Sequence, residues 1–208
     1  MKKQYDNLDD YIKDLQAEVE KAPECAAHHY NLGLALLSKR DFVAAEESFR
    51  EAVAQAPRLA EAYVQLGGIC LQRGDLDGCL NYNKEAANSQ PRFAIAWANI
   101  GFVLLQKGEA EEALAALKKA VKWNPNFVQA IASMGSAYYM LGDLESSEAM
   151  SERALKLHPD FAPACNNLAL VCLEKGEGEK ALEYAEKARK FGFEVQEEFM
   201  KELEQFRK

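Results

Sequence analysis

The sequence predicts an all-α fold, a solenoid in which antiparallel helix pairs stack one after another along the chain. Three observations predict it. Five of the six prolines, Pro23, Pro57, Pro91, Pro125 and Pro159, stand 34 residues apart. Glycines travel in the same frame, ten residues after the first four prolines, at Gly33, Gly67, Gly101 and Gly135, with Ala169 in the fifth place. The composition agrees, because 12 glycines and 6 prolines in 208 residues otherwise rich in Ala, Leu, Glu and Lys favour helix. A fixed period in this range means one supersecondary unit repeated, each copy burying its apolar face against the next.

The elements follow in order. Leu8 to Lys21 carries Tyr11, Leu15 and Val19 on one helical face and ends before Pro23, so residues 1–25 read as an N-terminal capping helix, half of a unit. Five full units follow at 26–59, 60–93, 94–127, 128–161 and 162–195. The third shows the pattern within each. Ala94 to Gln106 is apolar at helical spacing through Trp97, Ile100 and Leu104, and Lys107-Gly108-Glu109 stops that helix. Glu111 to Trp123 forms the second helix, closed by Asn124-Pro125. The stop glycine recurs as Gly74, Gly108, Gly142 and Gly176, with Arg40 in the first unit. Small residues recur at Ala45, Cys79, Ala113, Ser147 and Ala181, and again at Ala52, Ala86, Ala120, Ala154 and Ala188. Their smallness has a mechanical reason. Gly101 and Ala113 let the two helices of a unit approach, and Ala120 lets the second helix meet the following unit. Residues 196–208 read as a C-terminal capping helix, with Phe199, Leu203 and Phe206 on one side of the stretch Gln196 to Phe206.

The run Ala94-Ile95-Ala96-Trp97-Ala98-Asn99-Ile100-Gly101, taken with Ala113, Ala120 and Pro125, resembles a tetratricopeptide repeat. The resemblance covers the five units, about four fifths of the chain. It implies a right-handed α-solenoid of five such helix pairs with N- and C-terminal capping helices. There are departures. Asn83 and Ser151 replace the usual aromatic of the second helix, and Phe193 stands where the next proline would fall, which marks the end of the array.

Charge and motifs exclude several function classes. A formal net charge of -8 argues against nucleic acid as partner, which calls for a basic face. Apolar runs are too short for membrane insertion, and Met1-Lys2-Lys3-Gln4-Tyr5-Asp6 lacks the apolar core of a signal peptide, so a cytoplasmic location is expected. Cys25, Cys70, Cys79, Cys165 and Cys172 are odd in number and form no CxxC, and the last four fall in packing columns, so no disulfide framework is expected. His28 and His29 are adjacent and point about 100° apart on a helix, which suits no shared metal ion. No GxSxG, phosphate loop or HExxH is present, so no catalytic residue, metal or cofactor and no enzyme activity are expected. Lys118-Lys119 and Arg189-Lys190 read as solvated helix surface.

What remains is surface. The resemblance implies that the first helix of each unit lines a concave groove. Carried over position by position, it gives Tyr30, Leu34 and Leu37, then Glu61, Val64, Gly68 and Leu71, then Ile95, Ala98, Phe102 and Leu105. The fourth unit gives Gln129, Ser136 and Tyr139, and the fifth Asn166, Leu170 and Leu173. A further column, Asn31, Gln65, Asn99, Ser133 and Asn167, resembles the carboxamide ladder that holds an extended peptide in some members. A carboxamide donates and accepts, so it can pair with any peptide bond. Some members grip acidic chaperone tails with a two-carboxylate clamp of Lys, Asn, Asn, Lys and Arg. The matching positions here are Tyr30, Leu34, Gln65, Ile95 and Asn99, or Val64, Gly68, Asn99, Gln129 and Ser133 one unit on. Neither register supplies a cation, so the clamp is absent and a desolvated carboxylate would go unpaired. The expected function is therefore a non-enzymatic protein-interaction scaffold or adaptor that binds a peptide of another protein in a largely apolar groove. Two alternatives stand beside it. One is self-assembly into a homo-oligomer through the same groove, and the other is a chaperone for hydrophobic segments of secreted or membrane proteins.

Overall fold

The computed structural model describes residues 7–207, and among these there are twelve α-helices, one short 3₁₀ turn and no strand. The expectations for Met1 to Asp6 lie outside the described residues. In chain order the helices are α1 (Leu8–Lys21), α2 (Ala26–Ser38), α3 (Phe42–Gln55), α4 (Ala60–Gln72), α5 (Leu76–Ser89) and α6 (Ala94–Gln106). They continue as α7 (Ala110–Trp123), α8 (Val128–Met140), α9 (Leu144–Leu157), α10 (Ala162–Glu174), α11 (Gly178–Lys190) and α12 (Glu197–Leu203). The chain divides into two compact units, Met1–Ala96 and Trp97–Lys208, with the division inside α6.

Local chemistry explains the boundaries. Asp41, Asp75 and Asp143 cap the second helices α3, α5 and α9, their carboxylates accepting from the backbone N–H of Ala44, Gly78 and Ser146. The turn before each second helix requires a left-handed residue, and Gly74, Gly108, Gly142 and Gly176 supply it at φ from 76° to 80°. Arg40 holds the same place at φ 64°, so a side chain fits there at the expense of backbone strain.

In the first unit α1 packs on α2, α2 on α3, α3 on α4 and α4 on α5. The core joins Ile12 and Leu15 of α1 to Leu32, Leu36, Phe49, Leu66 and Ile69. Phe49 is wholly buried and its ring lies directly over Gly33, where an added Cβ would stand 2.6 Å from Cε1. The adjacent histidines have a structural task. His28 Nδ1 donates to the Glu18 carbonyl at 3.1 Å and His29 Nε2 donates to the Pro23 carbonyl at 2.7 Å. Together they tie the end of α1, and the turn that follows it, to α2.

In the second unit α7 packs on α8, α8 on α9, α9 on α10 and α10 on α11. Leu117, wholly buried, covers Gly101, whose added Cβ would lie 2.5 Å from Leu117 Cγ. Ser151 takes the corresponding place over Gly135. The chain ends differently from the single helix expected over Gln196 to Phe206. Helix α12 stops at Leu203, and Glu204–Phe206 tighten into the 3₁₀ turn. Two anchors account for this tightening. Phe206 sits over Gly178 at the start of α11, and Arg207 pairs with both Glu186 and Glu204. Met200 and wholly buried Leu203 face the core of α10 and α11, with Phe199 packed beside them.

Candidate interaction surface

The first-helix positions do not share one environment. In the first unit Tyr30, Leu34, Val64, Gln65 and Leu71 are half-buried, whereas Asn31 and Ile95 are exposed. The Tyr30 ring packs on Phe49 at 5.7 Å between centroids. Its hydroxyl bonds to Gln65 and faces Glu61, and burial raises its pKa above the usual phenolic value. Gly68 is exposed, and a Cβ there would touch nothing.

The second unit holds a cleft of ≈ 570 Å³. Phe102, Leu105 and Gln106 of α6 form one wall. Gln129, Ser136, Tyr139 and Met140 of α8 form the floor, with Pro163, Asn166 and Leu170 of α10 opposite. Phe193 and Gln196, from the segment leading into α12, close its end. A cavity of ≈ 300 Å³ continues past them, lined by Asn166, Leu170, Phe193, Glu194, Gln196 and Phe199. Phe102, Leu105, Tyr139 and Leu170 are each half-buried, so their apolar faces remain accessible from the cleft. The terminal residues Phe193, Gln196 and Phe199 were outside the sequence expectation for this surface. Their signal was Phe193 in the proline column, which reads as the end of an array and carries no information on where the next segment turns.

The carboxamide column divides. Asn167 is 5% exposed and spans two first helices, its Nδ2 donating to the Ala132 carbonyl at 2.9 Å while Ser136 Oγ donates to its Oδ1 at 3.1 Å. Ser133 is likewise buried, as is Ala98. Ala98 belongs to the core of this unit, whereas Ser133 and Asn167, though buried, also line the cleft. Asn99 stays half-buried, one turn before Phe102 on α6.

The electrostatics of the cleft are one-sided. Among the described residues no lysine, arginine or histidine lines it or the cavity beyond it. Tyr139 Oη donates to Glu174 Oε1 at 3.3 Å, and its pKa is raised by burial, by Glu174 and by Glu202. The cations of α7 lie elsewhere, with Lys119 over the Trp97 ring at 3.9 Å and Lys118 over Tyr138 at 5.8 Å. The four cysteines of the packing columns, Cys70, Cys79, Cys165 and Cys172, are buried, and burial raises each thiol pKa, that of Cys79 to about 11. Among the described residues no group of three His, Cys, Asp or Glu is placed to hold a metal ion. Among the same residues no helix is long and apolar enough to cross a membrane.

The family described as the cilia and flagella-associated protein 70 C-terminal domain, a tetratricopeptide-repeat family, matches residues 2–205. No curated protein matches the chain by sequence. Among solved structures it is similar to YrrB, described as a tetratricopeptide-repeat protein with an unusual peptide-binding site. The identity there is 20%, over 92% of this chain and 97% of that one, with a TM-score of 0.73. It is similar to PilF of Pseudomonas aeruginosa at 19% identity, over 82% of this chain and 78% of that one, with a TM-score of 0.71. A thermophilic tetratricopeptide-repeat protein of Thermus thermophilus matches at 23% identity, over 87% and 98% of the two chains, with a TM-score of 0.64. At these identities the likeness is one of fold, an all-α solenoid.

Proposed function

For a chain that belongs to the cilia and flagella-associated protein 70 C-terminal domain family, we propose a non-enzymatic role as an interaction scaffold that binds a peptide segment of another protein on the faces of its first helices. In this reading the chain is five tetratricopeptide units at 26–59, 60–93, 94–127, 128–161 and 162–195, held between helical caps. The observation that carries it is the cleft of the second unit, where three successive first helices present Phe102, Leu105, Tyr139 and Leu170 around ≈ 570 Å³ of open space. A row of half-buried apolar side chains with carboxamides beside it suits an extended segment, whose side chains fill the cleft while its backbone pairs with Asn99 and Asn166. The face of the first unit built from Tyr30, Asn31, Leu34, Val64, Gln65, Leu71 and Ile95 belongs to the same reading. The solenoid named in the YrrB structure as carrying a peptide-binding site supports it by analogy of fold alone.

The test is calorimetry with a partner isolated from native extract. Phe102→Ala should weaken binding by about 1–3 kcal/mol, as for a buried aromatic anchor, and Asn99→Ala by about 1 kcal/mol. Affinity unchanged in both, with loss on changing Lys118 and Lys119 of α7, would move the site to another surface.

A further inference from the structure

We infer that the cleft of the second unit selects a segment in which an aliphatic or aromatic side chain is neighboured by a lysine or arginine. The apolar group seats against Phe102, Leu105 and Leu170, and the cation is met by Glu174 and Glu202. This inference rests on the groove reading above and names the chemistry of its occupant.

The reasons are geometric and electrostatic. The walls of the cleft are apolar, carboxamide or hydroxyl, and among the described residues no basic side chain lines it. The lining itself carries no charged side chain, and the charges that act on Tyr139 from beside it are carboxylates. Glu174, the last residue of α10, accepts a hydrogen bond from Tyr139 inside the cleft. Glu202 of α12 acts on the same Tyr139 hydroxyl from the C-terminal segment. Glu194 lines the cavity that continues past Phe193. All three carboxylates are exposed, so they form a rim in contact with solvent around an apolar interior. Lys175, beside Glu174, is held by Glu148, and Arg189 and Lys201 line a separate hollow that shares Phe193, Glu194 and Gln196 with the cleft and its continuation.

Such a rim acts mainly on partner choice and on encounter. A segment carrying carboxylates would bring like charges together as the interior excludes water, whereas a segment carrying a cation gains attraction. The folding-back of the C-terminal segment is what completes this arrangement, because Glu194 and Glu202 arrive with it. The terminal cap would then set specificity as well as protect the last repeat.

The test begins with the full chain and a phage-displayed library of random twelve-residue peptides. Peptides eluted by their affinity should be enriched in Lys or Arg within two residues of an apolar side chain, relative to the unselected library. A synthetic copy of the most enriched peptide should lose about tenfold in affinity to the double variant Glu174→Lys, Glu202→Lys. Glu111→Lys, on the exposed start of α7, should leave it unchanged. Affinity for the unmodified protein should also fall as NaCl rises from 50 to 500 mM, a readout independent of whether the double variant folds. Selected peptides that are lost on Phe102→Ala yet carry no excess of cations, or whose binding ignores salt, would leave the groove reading standing and overturn this one. Failure to select any peptide would overturn both. A protein that sediments as a dimer, and as a monomer after Phe102→Asp, would give the cleft to a second copy and likewise overturn it.

Discussion

The Asn167 carboxamide on α10 reaches across to α8, where its Nδ2 donates to the Ala132 carbonyl at 2.9 Å. Ser136 Oγ on α8 completes the exchange by donating to Asn167 Oδ1 at 3.1 Å. Two first helices are thereby joined by a buried amide that both donates and accepts. Removing it deletes both bonds of a largely buried amide, each with a net worth of about 1 kcal/mol. Asn167→Ala should lower stability by about 1–2 kcal/mol. Asn31→Ala, in the same column but exposed, should stay within about 0.5 kcal/mol. Urea unfolding of both variants reads the difference, and equal midpoints would contradict the bridging role.

The glycines of the two columns respond to different physics. A Cβ at Gly101 would lie 2.5 Å from Leu117 Cγ and 3.1 Å from the Ala113 carbonyl, so bulk there must push α6 and α7 apart. At Gly108 a Cβ meets nothing within 4 Å, and the only obstacle is φ of 80°. Arg40 tolerates that conformation in the first unit. Gly101→Leu should therefore destabilise by about 3 kcal/mol, against about 1 kcal/mol for Gly108→Ala. Thermal unfolding of the pair checks this, and similar losses would contradict the packing.

The C-terminal cap should matter for solubility. Leu203 is wholly buried and Met200 nearly so, against the core of α10 and α11. Deleting residues 196–208 exposes that face, and a solenoid with a bare end tends to associate. The truncated chain should show a lower melting temperature and concentration-dependent mass in light scattering. Gly178→Val offers a gentler version, because a Cβ at that position would stand 2.3 Å from Phe206 Cδ1 and displace the ring. A monomeric truncation with unchanged melting would refute the capping role.

The thiols should differ in reactivity. Cys25 stands at the cap of α2 and is half-buried, whereas the other four are buried with raised pKa values. The thiolate is the reactive form, so burial slows them twice, through access and through ionisation. Alkylation of the native protein followed by mass spectrometry should label Cys25 first. Early labelling of Cys165 would show that α10 and α11 open more readily than their packing implies.

Much of this was legible from the chain because helix pairing is a local problem repeated. The 34-residue frame dictates where glycine and alanine must fall, and Gly33 under Phe49 and Gly101 under Leu117 show the reason, since no larger residue fits between the helices. The last helix was legible only in part. Its apolar face at Leu203 could be read from spacing, but the break into a 3₁₀ turn depends on Phe206 meeting Gly178, a contact between residues far apart in sequence.

The helices, their turns and the small residues at each close approach follow from the chain alone, because they depend on neighbours within one period. The roles of the surface columns came from tertiary packing. Asn31 and Asn167 hold the same place in the repeat, yet one is exposed and the other is drawn into a bridge to Ala132 and Ser136. A repeat position specifies a direction from the helix, not what stands opposite it. The cleft too is completed by Phe193 and Gln196, which the chain brings to it by folding back after the last helix pair. Burial of a polar group and closure of a cavity depend on which segments arrive from elsewhere, and that information is not periodic.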